Sequence, residues 1–193
     1  LVKKIYLILT HTCTTLSTII KCYTKDEFSH VSIALDKELN TMYSFGRLHP
    51  NNPFIGGFVH EGIDFGTFKR FKNTQSEIYS LEIADNKYEK IKEEIKKFES
   101  NKEKYKFNII GLFAVSINKK IHYKDTFYCA EFVKYLFEKV KIDNNLPDII
   151  RPQDFKKLKD IELVYSGKLK DYKKNELTDK ITLIEEEKEV IEK

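Results

Sequence analysis

The sequence predicts an α+β fold in which a central antiparallel sheet packs against helices. Three observations carry that expectation. Segments 28–36 and 77–83 alternate apolar and polar residues as strands do, a hairpin-like succession covers 28–45, and segments 85–102 and 126–140 repeat apolar residues at helical spacing. With 193 residues, 41% hydrophobic and 13% aromatic, the chain has material for one core and at most an attached tail. No apolar run approaches the roughly 20 residues that a membrane-crossing helix needs, so no integral membrane association is expected.

Residues 3–9, centred on Ile5-Tyr6-Leu7-Ile8-Leu9, read as a buried strand ending at the threonine-rich 10–15 segment. A threonine cap and the spacing of Leu16, Ile19, Ile20 and Tyr23 predict a helix over about 15–23. In 28–36, His30, Ser32, Ala34 and Asp36 fall on one face and Val31, Ile33 and Leu35 on the other, as in a half-buried strand. A link at 37–40 then leads into a partner strand at 41–45. The stretch 46–67, with Pro50, Pro53, Gly56, Gly57, Gly62 and Gly66, reads as a loop that interrupts the sheet. Residues 77–83 resume as a strand. The helix at 85–102 turns Tyr88, Ile91, Ile95 and Phe98 inward. A short apolar helix is expected at 108–117. A stronger one, capped by Thr126, runs over 126–140 with a buried stripe of Phe127, Phe132, Val133, Leu136, Phe137 and Val140. A helix started by Pro152, a strand at 161–165 and a turn at Gly167 close a domain of residues 1–171. Residues 172–193 are a charged tail or peripheral helix.

Charge excludes more than it assigns. Lys+Arg 34 against Asp+Glu 30 gives +4, and every basic residue is Lys except Arg47, Arg70 and Arg151. Lysines alternating with glutamates mark solvated helix faces, whereas nucleic-acid interfaces favour arginine forks among exposed aromatics; no nucleic-acid partner is expected. The opening Leu-Val-Lys-Lys is followed by neither a full apolar h-region nor a small-residue cleavage site, which reads as cytoplasmic. The absence of an initiator Met leaves room for an upstream piece. Cys13, Cys22 and Cys129 form no C-x-x-C and cannot all pair, so neither a disulfide scaffold nor a local zinc site is expected, and no metal or cofactor is implied.

A lone cysteine is usually a small buried hydrophobe. Cys129 differs in position, near the start of a helix, where free backbone N–H groups and the positive dipole end favour the nucleophilic thiolate. His30, at the entrance of its strand, is the matching imidazole for a Cys–His pair. Taken alone it would be an ordinary strand histidine. His11, His49, His60 and His122 have weaker surroundings.

The two segments gain meaning together. Ser29-His30-Val31-Ser32-Ile33-Ala34-Leu35-Asp36, with Met42-Tyr43-Ser44-Phe45-Gly46-Arg47 after a turn, resembles the histidine hairpin of NlpC-type papain-fold enzymes. Phe127-Tyr128-Cys129-Ala130-Glu131-Phe132-Val133 resembles their nucleophile helix. The order here, histidine first and cysteine last, is the reverse of papain and is similar to the circularly permuted branch that includes YiiX-like and lecithin–retinol acyltransferase-like proteins. The resemblance implies a permuted papain-like fold with the nucleophile on a helix N-terminus. It also implies a third polar residue that orients the imidazole from the neighbouring strand. That place falls on Tyr43 or Ser44, and the glycines that the family carries in its histidine strand are replaced by Ser32 and Asp36.

The implied chemistry is acyl transfer by Cys129 and His30 through a thioester, on a peptide-like amide, with Arg47, Phe54, Phe58 and His60 shaping the substrate groove. Two other readings stand beside it. One is a lipid-directed acyltransferase or thioesterase, which calls for a membrane-seeking amphipathic segment; the 177–193 tail is too acidic to favour anionic lipid. The other is a binding module that keeps the fold, favoured by a third residue without charge.

Overall fold

The computed structural model describes residues 1–12, 26–49, 52–142 and 145–173. It is a mixed α+β fold built on one six-stranded sheet of order β4-β3-β2-β1-β5-β8, with every neighbouring pair antiparallel. The strands are β1 (Val2–His11), β2 (His30–Ala34), β3 (Met42–His49), β4 (Asn52–Glu61), β5 (Gln75–Ala84) and β8 (Ile161–Lys168). A small parallel pair, β6 (Lys106–Phe107) and β7 (Thr126–Phe127), forms a separate ladder packed against β4. The helices are α1 (Gly66–Arg70), α2 (Asp85–Ser100), α3 (Ile109–Ser116) and α4 (Cys129–Lys139), with 3₁₀ turns at Pro152–Lys157 and Leu169–Asp171.

Period-2 alternation gives the sheet two apolar faces. On the thick side Ile5, Leu7, Leu9, Val31, Ile33 and Phe45 share a core with α2 and α4. Phe45 is its hub, fully buried, with the rings of Phe127 and Phe132 at 5.3 Å and those of Phe98 and Phe58 at 5.8 and 5.9 Å. On the thin side Tyr6, Ile8, Ala34, Met42 and Ile78 are covered by Phe68 of α1, Leu169 and Tyr172. Tyr172 is 1% exposed and its hydroxyl donates to the Lys37 carbonyl at 2.9 Å, so packed chain reaches at least that residue.

Several boundaries differ from the sequence expectation. The stretch 46–67 does not interrupt the sheet. β3 runs on to His49, and β4 pairs with it through Phe45↔Phe58, Gly46↔Gly57 and Arg47↔Gly56. Gly56 is there for close approach, because a Cβ would meet the Gly46 carbonyl oxygen at 2.6 Å and Phe107 Cβ at 2.7 Å. The expected helix over 126–140 starts only at Cys129. Thr126 belongs to β7, its hydroxyl donates to the Tyr123 carbonyl, and Tyr128, in extended conformation, is the cap. Gly167 lies within β8 opposite Ser76, and the segment after Pro152 is a 3₁₀ turn. The expected helix over 15–23, with Cys13 and Cys22, lies outside the described residues, as does the tail from residue 174.

Candidate active site

Three elements meet beside β2. β2 opens with His30, β4 ends with Glu61, and α4 begins with Cys129, which is 3% exposed. β2 and β4 run in the same direction, so these two residues stand at opposite ends of their strands and meet diagonally across β3; the register explains the face they share. Ala34 pairs with Met42 and Met42 with Glu61, so Glu61 lies on the face that β2 gives to His30, Ser32 and Ala34. His30 Nε2 sits 3.0 Å from Glu61 Oε2. The Ser32 hydroxyl donates to the same oxygen at 2.6 Å and lies 3.3 Å from Nε2. β3 passes between the two residues with Gly46, where a Cβ would be 3.8 Å from His30 Cε1 and 3.9 Å from Glu61 Oε1. A long side chain there would stand in the gap the carboxylate spans.

The Cys129 thiol bears on the same ring, as one of the groups that raise the His30 pKa. Burial is the largest influence on His30 and opposes its charge. The charge of Glu61, the Cys129 hydrogen bond and the Glu61 hydrogen bond overcome it, holding the imidazole well above its usual 6.5. For Glu61, burial again leads and favours the neutral acid. The charge and hydrogen bond of His30 and the hydrogen bond from Ser32 prevail, keeping the carboxyl below its usual 4.5. The site is thus built to hold a charged imidazolium–carboxylate pair against the thiol.

The first turn of α4 is itself braced. The Tyr128 N–H donates to Glu131 Oε2 at 3.2 Å, one half of a capping box, and the Tyr128 hydroxyl donates to the Ile150 carbonyl at 3.0 Å. Asn108 donates to the same Glu131 oxygen at 3.4 Å and to the Ile121 carbonyl at 2.8 Å. Its Oδ1 accepts the Gly111 N–H at 2.8 Å, tying the start of α3 to the start of α4.

Neither hydroxyl expected to orient the imidazole contacts it in these geometries. Tyr43 pairs with Ile33 on the opposite, thick side, its ring 5.4 Å from that of His60 and 6.3 Å from that of Phe58. Ser44 has the right parity, but its fully buried hydroxyl donates to the Val31 carbonyl at 2.7 Å. The carboxylate comes one strand further out, from the segment read as a loop. A signal was present: Glu61 is the only acidic residue between Glu38 and Asp64, and it ends a strand-like run.

Of the groove residues, Arg47, Phe58 and His60 line a cavity of about 450 Å³ together with Glu61, Glu99 and Lys102. Phe58 serves the core first, 5% exposed and stacked on Phe98, while His60 Nε2 pairs with Glu99 Oε1 at 2.7 Å. Phe54 lies on β4 with its side chain outside the described residues. No family model, no curated protein and no solved structure matches this chain.

Proposed function

We propose that this chain is a thiol hydrolase of permuted papain-like architecture that cleaves a peptide-like amide bond. The observation that carries the reading is the part-buried Glu61–His30 pair, with Cys129 as the first residue of a helix packed on the strand that carries His30. Glu61 and Ser32 engage Nε2, which leaves Nδ1 as the ring nitrogen to exchange a proton with sulfur. Cys129 sulfur attacks the substrate carbonyl carbon as the carbonyl π electrons move to oxygen. Backbone N–H groups of the first α4 turn meet that oxyanion. When the tetrahedral adduct collapses, the C–N bond breaks and the imidazolium delivers its proton to the leaving amine. Water, deprotonated by His30, then hydrolyses the thioester and returns the thiol.

A charged third residue also weighs against a binding module, whose support was the lack of such a charge. The test is site-resolved iodoacetamide labelling across pH, followed by assay on amide and ester substrates. Under this reading Cys129 labels far faster than an ordinary thiol near neutral pH, His30→Ala removes that reactivity, and amide cleavage disappears with Cys129→Ala. Labelling of Cys129 at the rate of an ordinary thiol in both wild type and His30→Ala sinks the enzyme reading.

A further inference from the structure

Residues 105–124 contain no Asp or Glu, although the chain carries 30 of them. This stretch holds Lys106, Lys119, Lys120 and Lys124 and includes the whole of α3, whose sequence is Ile-Ile-Gly-Leu-Phe-Ala-Val-Ser. Helical spacing divides α3 into two faces. Gly111, Ala114 and Val115 are buried. Ile110, Phe113 and Ile117, at i, i+3 and i+7, are 53%, 44% and 64% exposed, and Tyr123 follows at 51%. Scattered exposed apolar residues are normal on a protein surface, but a single helix face that presents three large ones in line is not. Of the acids beside the stretch, Asp125 pairs with Lys104 at 3.3 Å and Asp148 with Lys120 at 3.8 Å, while Glu103 stands exposed just before it.

We infer that the outward face of α3, with the lysines that follow it, docks on an anionic membrane surface. The occupant is set by charge. An apolar stripe bordered by Lys119, Lys120 and Lys124, in a stretch without a single acid, complements an acyl layer beneath anionic headgroups. A second copy of the chain would set these lysines against its own lysines across a two-fold axis. The eight residues of α3 lie along the interface rather than across it, and among the described residues no helix is long and apolar enough to cross a membrane. The Asn108 contacts tie the start of α3 to Glu131 in the first turn of α4.

The surface is read without turnover, so the inference stands or falls apart from the thiol chemistry. The full chain is floated with phosphatidylcholine vesicles, with and without phosphatidylserine, at low and high salt. Expected is binding to the anionic vesicles alone, weakened by salt. Lys119→Ser and Lys124→Ser should each weaken it by about fivefold, the equivalent of ~1 kcal/mol per basic residue near the surface. Phe113→Ser should abolish it, while Leu163→Ser, which removes an exposed apolar side chain from β8 at the other end of the sheet, leaves it unchanged. All four positions are exposed, and circular dichroism checks that each variant is folded. No binding, equal binding to neutral vesicles, or indifference to Phe113→Ser overturns the proposal. So does a dimer in light scattering that Phe113→Ser dissociates, which would assign the face to a second copy.

Discussion

Replacing Glu61 with Gln keeps the shape of the side chain and removes its charge. Two unit charges about 4 Å apart interact by about 4 kcal/mol at an effective dielectric of ~20. His30 and Glu61 are 3.0 Å apart with side chains 19% and 9% exposed, so that regime applies to them. The imidazolium charge is shared by two nitrogens and the substituted amide keeps a hydrogen-bond acceptor, which together roughly halve the loss, to about 2 kcal/mol. The imidazole falls back toward its usual range, and the imidazolium beside Cys129 becomes correspondingly scarce near neutral pH. Iodoacetamide labelling of Cys129 near pH 7 should therefore slow by roughly tenfold to thirtyfold. Its pH profile should lose the step set by His30. Ser32→Ala, which removes one donor to the carboxylate but no charge, should slow it far less. A Glu61→Gln profile that superimposes on wild type, in a protein whose circular dichroism is unchanged, would refute the electrostatic argument.

Three further outcomes are expected. The His30–Glu61 pair should make stability pH-dependent. The Glu61 contribution is present above its usual 4.5 and lost as pH falls through the lower folded value, while the His30 contribution is complete below 6.5 and lost as pH rises through the higher folded value. The urea-derived difference between wild type and His30→Ala/Glu61→Leu should thus be greatest between these limits and shrink on both sides; a pH-independent difference contradicts the pairing. Phe45→Ala, which empties the hub of the aromatic core, should cost about 3–5 kcal/mol in urea unfolding. Gly56→Ala should cost about 1–3 kcal/mol, because its new methyl meets backbone and the Phe107 Cβ. Gly62→Ala should stay within about 0.5 kcal/mol. Its obstacle is the ring of Phe65, which is 42% exposed and free to rotate away.

Where local pattern and tertiary packing agree, the sequence was easy to read. The alternation of His30 to Leu35 gave both the faces of β2 and the burial of Val31 and Ile33, and the spacing of Ile91, Ile95 and Phe98 gave the inward face of α2. Cys129 could be placed near a helix start, although the cap proved to be Tyr128, a residue type with no capping preference, fixed by its hydroxyl bond to Ile150 and by Glu131. The harder part was β4. Its glycines answer a steric demand from Phe107 and Tyr105, residues some 50 positions later, and nothing local separates that demand from a turn. Misreading β4 displaced the third residue to β3, where parity alone could not choose between Tyr43 and Ser44. Counting strands outward from His30 requires knowing that β4 is a strand.

His30 and Glu61 belong to one stretch of chain, β2-β3-β4, whose hairpins form from neighbouring sequence, whereas Cys129 arrives on a helix made 68 residues after Glu61. The charged pair can therefore assemble before the sulfur is docked against it. Until α4 settles into the core through Phe132, Val133 and Phe137, its cysteine is an unremarkable thiol with no imidazolium beside it. On the proposed function, nucleophilicity is then a property of the finished tertiary structure rather than of the residue. A nascent or partly unfolded chain would carry a quiet sulfur, slow to be alkylated or oxidised, and reactivity would appear only once Cys129 is docked beside the charged pair.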